Sequence, residues 1–273
     1  MKVSGKPLAD SILNALKLEI QEDNLSPGLA IILANNTGAS RLYVENKLNK
    51  SAELGINAHL YTFEESQEES AKEKIQNLNL DPKVTGIIIQ FPVYGSWNFE
   101  ALFQQVTSPK DVDGFKEDSP FIPATAAGVW EMLSEFARIE GYDAAEKFLD
   151  GKTITVLGRG KTAGKPTREL LMKKGYEVNL IHSQTPNPDD IIKSSDIIIS
   201  ATGKKHIINA SNIKPGSFVI GVGVGKEDEK TIGDLDESAI SEIAKLYCPT
   251  IGGIGPLTIA CLLRNVIQSA KAR

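Results

Sequence analysis

The stretch Gly151-Lys-Thr-Ile-Thr-Val-Leu-Gly-Arg-Gly-Lys-Thr-Ala-Gly-Lys-Pro166 constrains the fold more than any other in the chain. Thr153 to Leu157 are β-branched or apolar and read as a buried parallel strand. Gly158, Gly160 and Gly164 follow, and Pro166 stands where a helix takes its first turn. A strand, a glycine turn and a helix in succession aim backbone N–H groups at a phosphate. Glycine tolerates positive φ and lets the backbone approach its ligand closely. The spacing G-x-G-x-x-x-G is one residue longer than the usual dinucleotide fingerprint. The turn therefore reads either as a nucleotide cradle, with Gly158, Arg159, Gly160, Gly164, Lys165 and Pro166 around it, or as a plain strand-to-helix connection.

A second apolar run, Glu177 to Ile181, ends at His182-Ser183-Gln184, where an acidic residue gripping the ribose of NAD is expected. No Asp or Glu stands there. That removes repulsion against a 2′-phosphate, and Arg159 in the turn can pair with one. The functional reading is NADP rather than NAD; the alternative is that Arg159 and Ser183 are solvated loop residues.

At 273 residues the chain is long enough for about two domains. A hydrophobic fraction of 41% against 24% charged places it among globular proteins. The net charge of −5 argues against a nucleic-acid or membrane-surface binder. Only Cys248 and Cys261 are present, and His59, His182 and His206 are scattered, so neither a disulfide framework nor a metal site is expected. No apolar signal core or bilayer-length run appears, and the expectation is a cytoplasmic protein.

Residues 7 to 20 repeat apolar positions at helical spacing. Leu29 to Leu33 reads as a buried strand ending in the turn formers Asn35-Asn36-Thr37-Gly38. Ser40 to Leu54 reads as a helix stopped by Gly55. Asn57 to Phe63 alternates like a strand, and the charged stretch Glu64 to Asn79 reads as an exposed helix. Gly86 to Phe91 is a third strand, broken by Pro92, and Ala124 to Ala137 a long helix leading into a second domain. Further strands lie at Asp196 to Ser200 and Ser217 to Gly221. The loops that follow, Ala201-Thr202-Gly203 and Gly223-Val224-Gly225, can line a cofactor groove. Pro256 to Lys271 closes the chain as an amphipathic helix. Strands alternating with helices imply an α/β fold with parallel sheets covered on both faces.

Tyr43 and Lys47 are four apart on an expected helix and share a face. A buried lysine loses ammonium stability and can exchange protons near neutral pH; the alternative is a helix edge meeting solvent. Gln90 interrupts an apolar strand at its C-terminal end, where α/β folds bind ligands, or it caps the strand. Asp111 and Asp113 can hydrogen-bond an amino-pyrimidine or make Asx turns in their own loop.

Five blocks occur in order: Tyr43-Val-Glu-Asn-Lys47; Gln90-Phe-Pro-Val93; Pro109-Lys-Asp-Val-Asp-Gly-Phe115; Gly158-Arg-Gly160 with Gly164-Lys-Pro166; and Gly252-Gly-Ile-Gly-Pro-Leu-Thr258. Together they resemble the bifunctional methylenetetrahydrofolate dehydrogenase/methenyltetrahydrofolate cyclohydrolase (FolD) family, from the first helix to the last. The resemblance implies two α/β domains joined by long helices with a cleft between: a three-layer folate-binding catalytic domain at 1–122 plus 256–273, and a Rossmann-like NADP-binding domain at 123–255. It also implies a homodimer, tetrahydrofolate substrates, and a product, 10-formyltetrahydrofolate, of one-carbon and purine metabolism. By the same resemblance Lys47 is the catalytic lysine, Gln90 tunes it, and Tyr43 packs on the folate ring. Asp113 anchors the pterin, and Pro92, Gly253, Pro256 and Thr258 line the substrate. Arg159 and Ser183 contact the 2′-phosphate, beside the glycine turn and the loops of Thr202, Gly203 and Gly223.

The sequence departs from the family pattern in places. Gly160 stands where Ser is usual, Pro123-Ala-Thr-Ala126 where Pro-Cys-Thr-Pro is usual, and Cys248-Pro-Thr-Ile251 where Thr-Pro-Val-Pro is common. The segment from Phe115 to Pro123 is also shorter. Three other readings remain at this point: a monofunctional NAD-linked dehydrogenase, a silent folate-binding scaffold, and an unrelated Rossmann dehydrogenase. The presence of Lys47 and Gln90 argues against the first two, and the third lacks a convincing His or Lys near the glycine turn.

Overall fold

The computed structural model describes residues 1–35, 37–227 and 230–273 and, of Ala39, the backbone alone. In chain order the elements are α1 (Lys6–Glu22), β1 (Gly28–Leu33), α2 (Gly38–Leu54), β2 (Asn57–Thr62), α3 (Glu68–Leu80), β3 (Gly86–Gln90), α4 (Phe99–Phe103) and α5 (Ala124–Ile139). Then follow α6 (Ala145–Leu149), β4 (Ile154–Leu157), α7 (Gly164–Lys173), β5 (Val178–Ile181), α8 (Pro188–Ser194), β6 (Ile197–Ser200) and β7 (Phe218–Gly221). The chain ends with β8 (Val224–Glu227), β9 (Lys230–Gly233), α9 (Glu237–Ile240), β10 (Leu246–Cys248) and α10 (Ile254–Lys271). Two compact units result, one of Ser11–Ala124 with Ile259–Arg273, the other of Met1–Asp10 with Thr125–Thr258.

In the first unit a parallel sheet has the order β2-β1-β3. Each residue of β1 is buried, as a central strand covered on both faces must be. Thr37 accepts from the Ser40 N–H to start α2, and Gly55, at φ 79°, stops it. Of the residues expected to turn after β1, Asn36 lies outside the described ones. The acidic stretch is a helix, but not an exposed one throughout. Ala71, Ile75 and Leu78 form a buried stripe on α3 while Lys72 pairs with Glu68 and Glu69 outside.

In the second unit a five-stranded parallel sheet has the order β10-β7-β6-β4-β5. β4, first of these in sequence, has a neighbour on each side, so the chain direction reverses between β4 and β6. Residues 1–10 belong to this unit rather than with the strands that follow them. The reason is edge pairing: Val3 N–H donates to Tyr247 O at 2.8 Å, and Tyr247 N–H donates to Met1 O at 2.9 Å. The N-terminal residues thereby cover the open edge of β10. β8 and β9 form a separate antiparallel pair that hydropathy did not foretell, because most of its residues face solvent. Among the described residues, no helix is long and apolar enough to cross a membrane.

Candidate active site

The first unit builds a polar centre at the C-terminal ends of β1 and β3, where its own chain direction reverses. Buried positions on α2 recur as Ser40, Val44, Lys47, Ser51 and Leu54, so Lys47 occupies a core position of the helix. Its side-chain nitrogen donates to Gln90 Oε1 at 3.0 Å, and Gln90 Nε2 donates to Phe91 O at 2.8 Å. The second bond settles the amide orientation: oxygen faces lysine. Burial pushes the Lys47 amine below its ordinary range, opposed by the nearby Asp113 carboxylate. Burial likewise pushes Asp113 up to about 6, with Lys47 pulling it down and Asp111 pushing it up. Tyr43, one turn before Lys47, keeps 41% of its surface exposed, and its phenol is raised by burial.

The two acids of the loop have different jobs. Asp111 is buried and accepts from Gly114 N–H at 3.2 Å and Lys116 N–H at 2.8 Å, an internal turn brace. Asp113 is left as the carboxylate that faces the charge of Lys47. Lys110, from the same motif, is structural: it is buried and donates to Leu78 O and Asp81 O, closing the C-terminus of α3. Asn265 of α10 donates to Val112 O and Ile122 O, clamping both arms of the loop. Phe99 of α4 meets Phe91 at 5.0 Å between ring centroids and Phe115 at 6.4 Å. It thus ties the segment after Gln90 to the segment after Asp113. Asn35, buried at the end of β1, donates to Pro92 O and accepts from Thr37 N–H, which joins β1, β3 and the start of α2.

The second unit places the glycine turn at its own switch point. Gly158 ends β4 at φ 98°, and a Cβ there would collide with the Ala201 carbonyl beyond β6. Leu157 pairs with Ile181, so Arg159 and Ser183 leave adjacent strands at equal distances from that pair, both exposed. An exposed cation and an exposed hydroxyl, each two residues beyond that pair and with no carboxylate between residues 182 and 184, suit an anionic group such as a 2′-phosphate. At Gly160 a Cβ would meet nothing within 4 Å, so the turn opens onto free space. Lys165 and Pro166 sit in the first turn of α7, and Thr202, Gly203 and Gly223 stand half-buried beyond β6 and β7.

Comparison with known proteins agrees with both halves. Residues 3–113 match the model of the tetrahydrofolate dehydrogenase/cyclohydrolase catalytic domain, and residues 123–273 that of its NAD(P)-binding domain. The chain belongs to the tetrahydrofolate dehydrogenase/cyclohydrolase family. A bifunctional protein FolD of Acetivibrio thermocellus is 37% identical, covering 98% of this chain and 96% of its own. The bifunctional FolD structure from Campylobacter jejuni superposes with a TM-score of 0.90 at 29% identity, covering 100% of this chain and 99% of that one. The Trypanosoma brucei FolD, solved with NADP cofactor and an inhibitor, superposes at 0.89 with 26% identity, covering 100% of this chain and 97% of that one.

For this member of the dehydrogenase/cyclohydrolase family, the first unit brings together Lys47, Gln90 and Asp113, with Tyr43 on the shoulder of α2 and Pro92 held by Asn35. Gly253, Pro256 and Thr258 stand around the start of α10, in the second unit. Gly253 packs against Cys248 and Pro249 where no Cβ fits, and Thr258 Oγ1 donates to Ile254 O. Three contributors escaped the sequence reading: Phe99, Asn35 as a brace, and the buried Asp234. Asp234 accepts from Ser200, Thr202 and Lys204 beside the glycine turn. Only an aspartate within Gly233-Asp-Leu-Asp236, after an exposed strand, marked it.

Proposed function

We propose that this chain oxidises 5,10-methylenetetrahydrofolate to 5,10-methenyltetrahydrofolate with NADP and hydrolyses that product to 10-formyltetrahydrofolate. The carrying observation is a desolvated Lys47 held by Gln90 Oε1 and facing Asp113 at the switch point of the first sheet. Family membership supports the pair of activities, and the glycine turn with Arg159 and Ser183 supports NADP.

Asp113, at about 6, is mostly a carboxylate at neutral pH and accepts from the pterin amino group and ring nitrogen. Tyr43 packs on the folate ring and Pro92 borders it, so the folate is oriented before reaction. Gly253, Pro256 and Thr258 are assigned to the wall over the substrate. When bound, NADP supplies the carbon that accepts hydride from the methylene group. Gly158, Gly160, Gly164, Lys165 and Pro166 carry the nucleotide phosphates, Arg159 and Ser183 its 2′-phosphate, and Thr202, Gly203 and Gly223 the opposite wall. In the hydrolytic step water attacks the methenyl carbon and one of its protons passes to Lys47, whose affinity for protons burial lowers. The carbon–N5 bond then breaks as the remaining hydroxyl proton moves to N5, leaving the formyl group on N10. Gln90 can only accept from Lys47 in this orientation, so it aims the lysine in either protonation state.

A homodimer in the cytoplasm, acting on free tetrahydrofolates without nucleic acid or membrane, completes the reading. The 10-formyl product places it before formyl transfer in purine biosynthesis. The test is absorbance of purified chain with methylenetetrahydrofolate and NADP or NAD in parallel. Reduction of NADP with accelerated decay of the methenyl band supports it. Reduction with NAD alone overturns the roles of Arg159 and Ser183, and no reduction with either returns the silent-scaffold reading.

A further inference from the structure

Asp234 is completely buried, yet its partners are two hydroxyls and two backbone amides rather than a cation. Oδ2 accepts from Ser200 Oγ at 2.7 Å and Thr202 N–H at 2.8 Å. Oδ1 accepts from Thr202 Oγ1 at 3.0 Å and Lys204 N–H at 2.9 Å. A buried carboxylate tolerates such a place only when its lone pairs are filled. Removing it would take the acceptor from the Thr202 amide and from the Ser200 and Thr202 hydroxyls, and leave the Lys204 amide only its second acceptor, Thr202 Oγ1.

The place of those four donors gives the carboxylate its meaning. Ser200 is the last residue of β6 and pairs with Leu157, the last of β4. The next residue, Ala201, presents the carbonyl that excludes a side chain at Gly158. Thr202 to Lys204 then form the loop beyond, with Gly203 at φ 70°. From the other side, a Cβ on Gly223 would overlap Asp234 Oδ2 and the N–H groups of Thr202 and Gly203. Gly223 is therefore glycine to admit this carboxylate, whatever else it borders. Asp234 N–H in turn donates to Gly223 O at 3.2 Å. The three residues expected on the far wall of the nucleotide groove, Thr202, Gly203 and Gly223, all take their positions from one side chain.

We propose that Asp234 is a positioning residue for nucleotide binding, moulding the Ala201–Lys204 loop against the glycine turn without touching the cofactor. This rests on the NADP reading of the second unit. Hydrolysis of the methenyl substrate needs no nucleotide, so the same protein carries its own control.

The experiment is calorimetric titration of NADP into the full-length chain, wild type, Asp234→Asn and Ser200→Ala, with methenyl hydrolysis measured without nucleotide. The amide of Asp234→Asn turns an acceptor into a donor facing donors, so Kd for NADP should rise about tenfold or more. Ser200→Ala removes one of the four bonds and should raise Kd by roughly two- to fivefold; it carries the test should the first variant not fold. Hydrolysis should stay within about twofold in both, whereas general loosening of the fold would lower it together with NADP binding. Unchanged Kd in a folded Asp234→Asn, or equal loss of hydrolysis and binding, overturns the inference alone. No NADP binding by the wild-type chain overturns the nucleotide reading and this inference with it.

Discussion

The side-chain nitrogen of Lys47 donates to Gln90 Oε1 at 3.0 Å, across 43 residues of sequence and from a core position of its helix. A lysine in such a position is costly unless its charge is compensated or given up. Gln90 offers an acceptor without a full charge, so it holds the amine without restoring its affinity for protons.

Gln90→Glu replaces that neutral acceptor by a carboxylate and should favour the Lys47 ammonium. The pH profile of methenyl hydrolysis should then move upward by about one unit, with a roughly tenfold lower rate at pH 7. A profile that stays in place would remove Gln90 from control of the lysine.

Asp113 holds its proton up to about 6 in the folded chain, against 3.8 for an ordinary carboxyl. Between pH 4 and 6 the folded state therefore binds more protons than the unfolded one, and stability falls as pH rises. Asp113→Asn removes this cost. Its melting temperature should exceed the wild type's at pH 7.5, by up to about 3 kcal/mol in stability, and match it near pH 4. Folate binding should weaken at both. Thermal unfolding across pH reads the first effect and a folate titration the second.

At Gly158 a methyl group meets both a positive φ and the Ala201 carbonyl. Gly158→Ala should cost about 1–3 kcal/mol in stability and raise KM for NADP by about tenfold or more, leaving methenyl hydrolysis nearly intact. Wild-type KM in this variant would show that the turn does not carry the nucleotide.

Much of the framework was legible from the sequence because apolar runs such as Leu29–Leu33 and Ile197–Ser200 are central strands, buried on both faces. Gly55 stopped its helix as expected because only a left-handed cap fits there. Less legible were features that depend on distant partners. The spacing of Tyr43 and Lys47 placed them as neighbours on one helix but did not show how differently they are covered, Lys47 buried and Tyr43 41% exposed. The stripe Ser40, Val44, Lys47, Ser51, Leu54 would have shown it. Asp111 and Asp113 looked alike in sequence; which of them braces the loop emerges only from the amides of Gly114 and Lys116. Asp234 had little local signal beyond its place after an exposed strand, since all four of its bonds come from residues 30 or more positions upstream, Ser200, Thr202 and Lys204.

Lys47→Met tests the central claim most directly, because methionine keeps the length and apolar packing of the buried stem while removing the amine. Both activities are followed on one purified sample, NADP reduction with methylenetetrahydrofolate and decay of added methenyltetrahydrofolate. Catalysed methenyl decay should fall by about a hundredfold or more while NADP reduction persists and methenyl product accumulates. Wild-type methenyl decay in this variant would contradict Lys47 as the proton-handling group of the site.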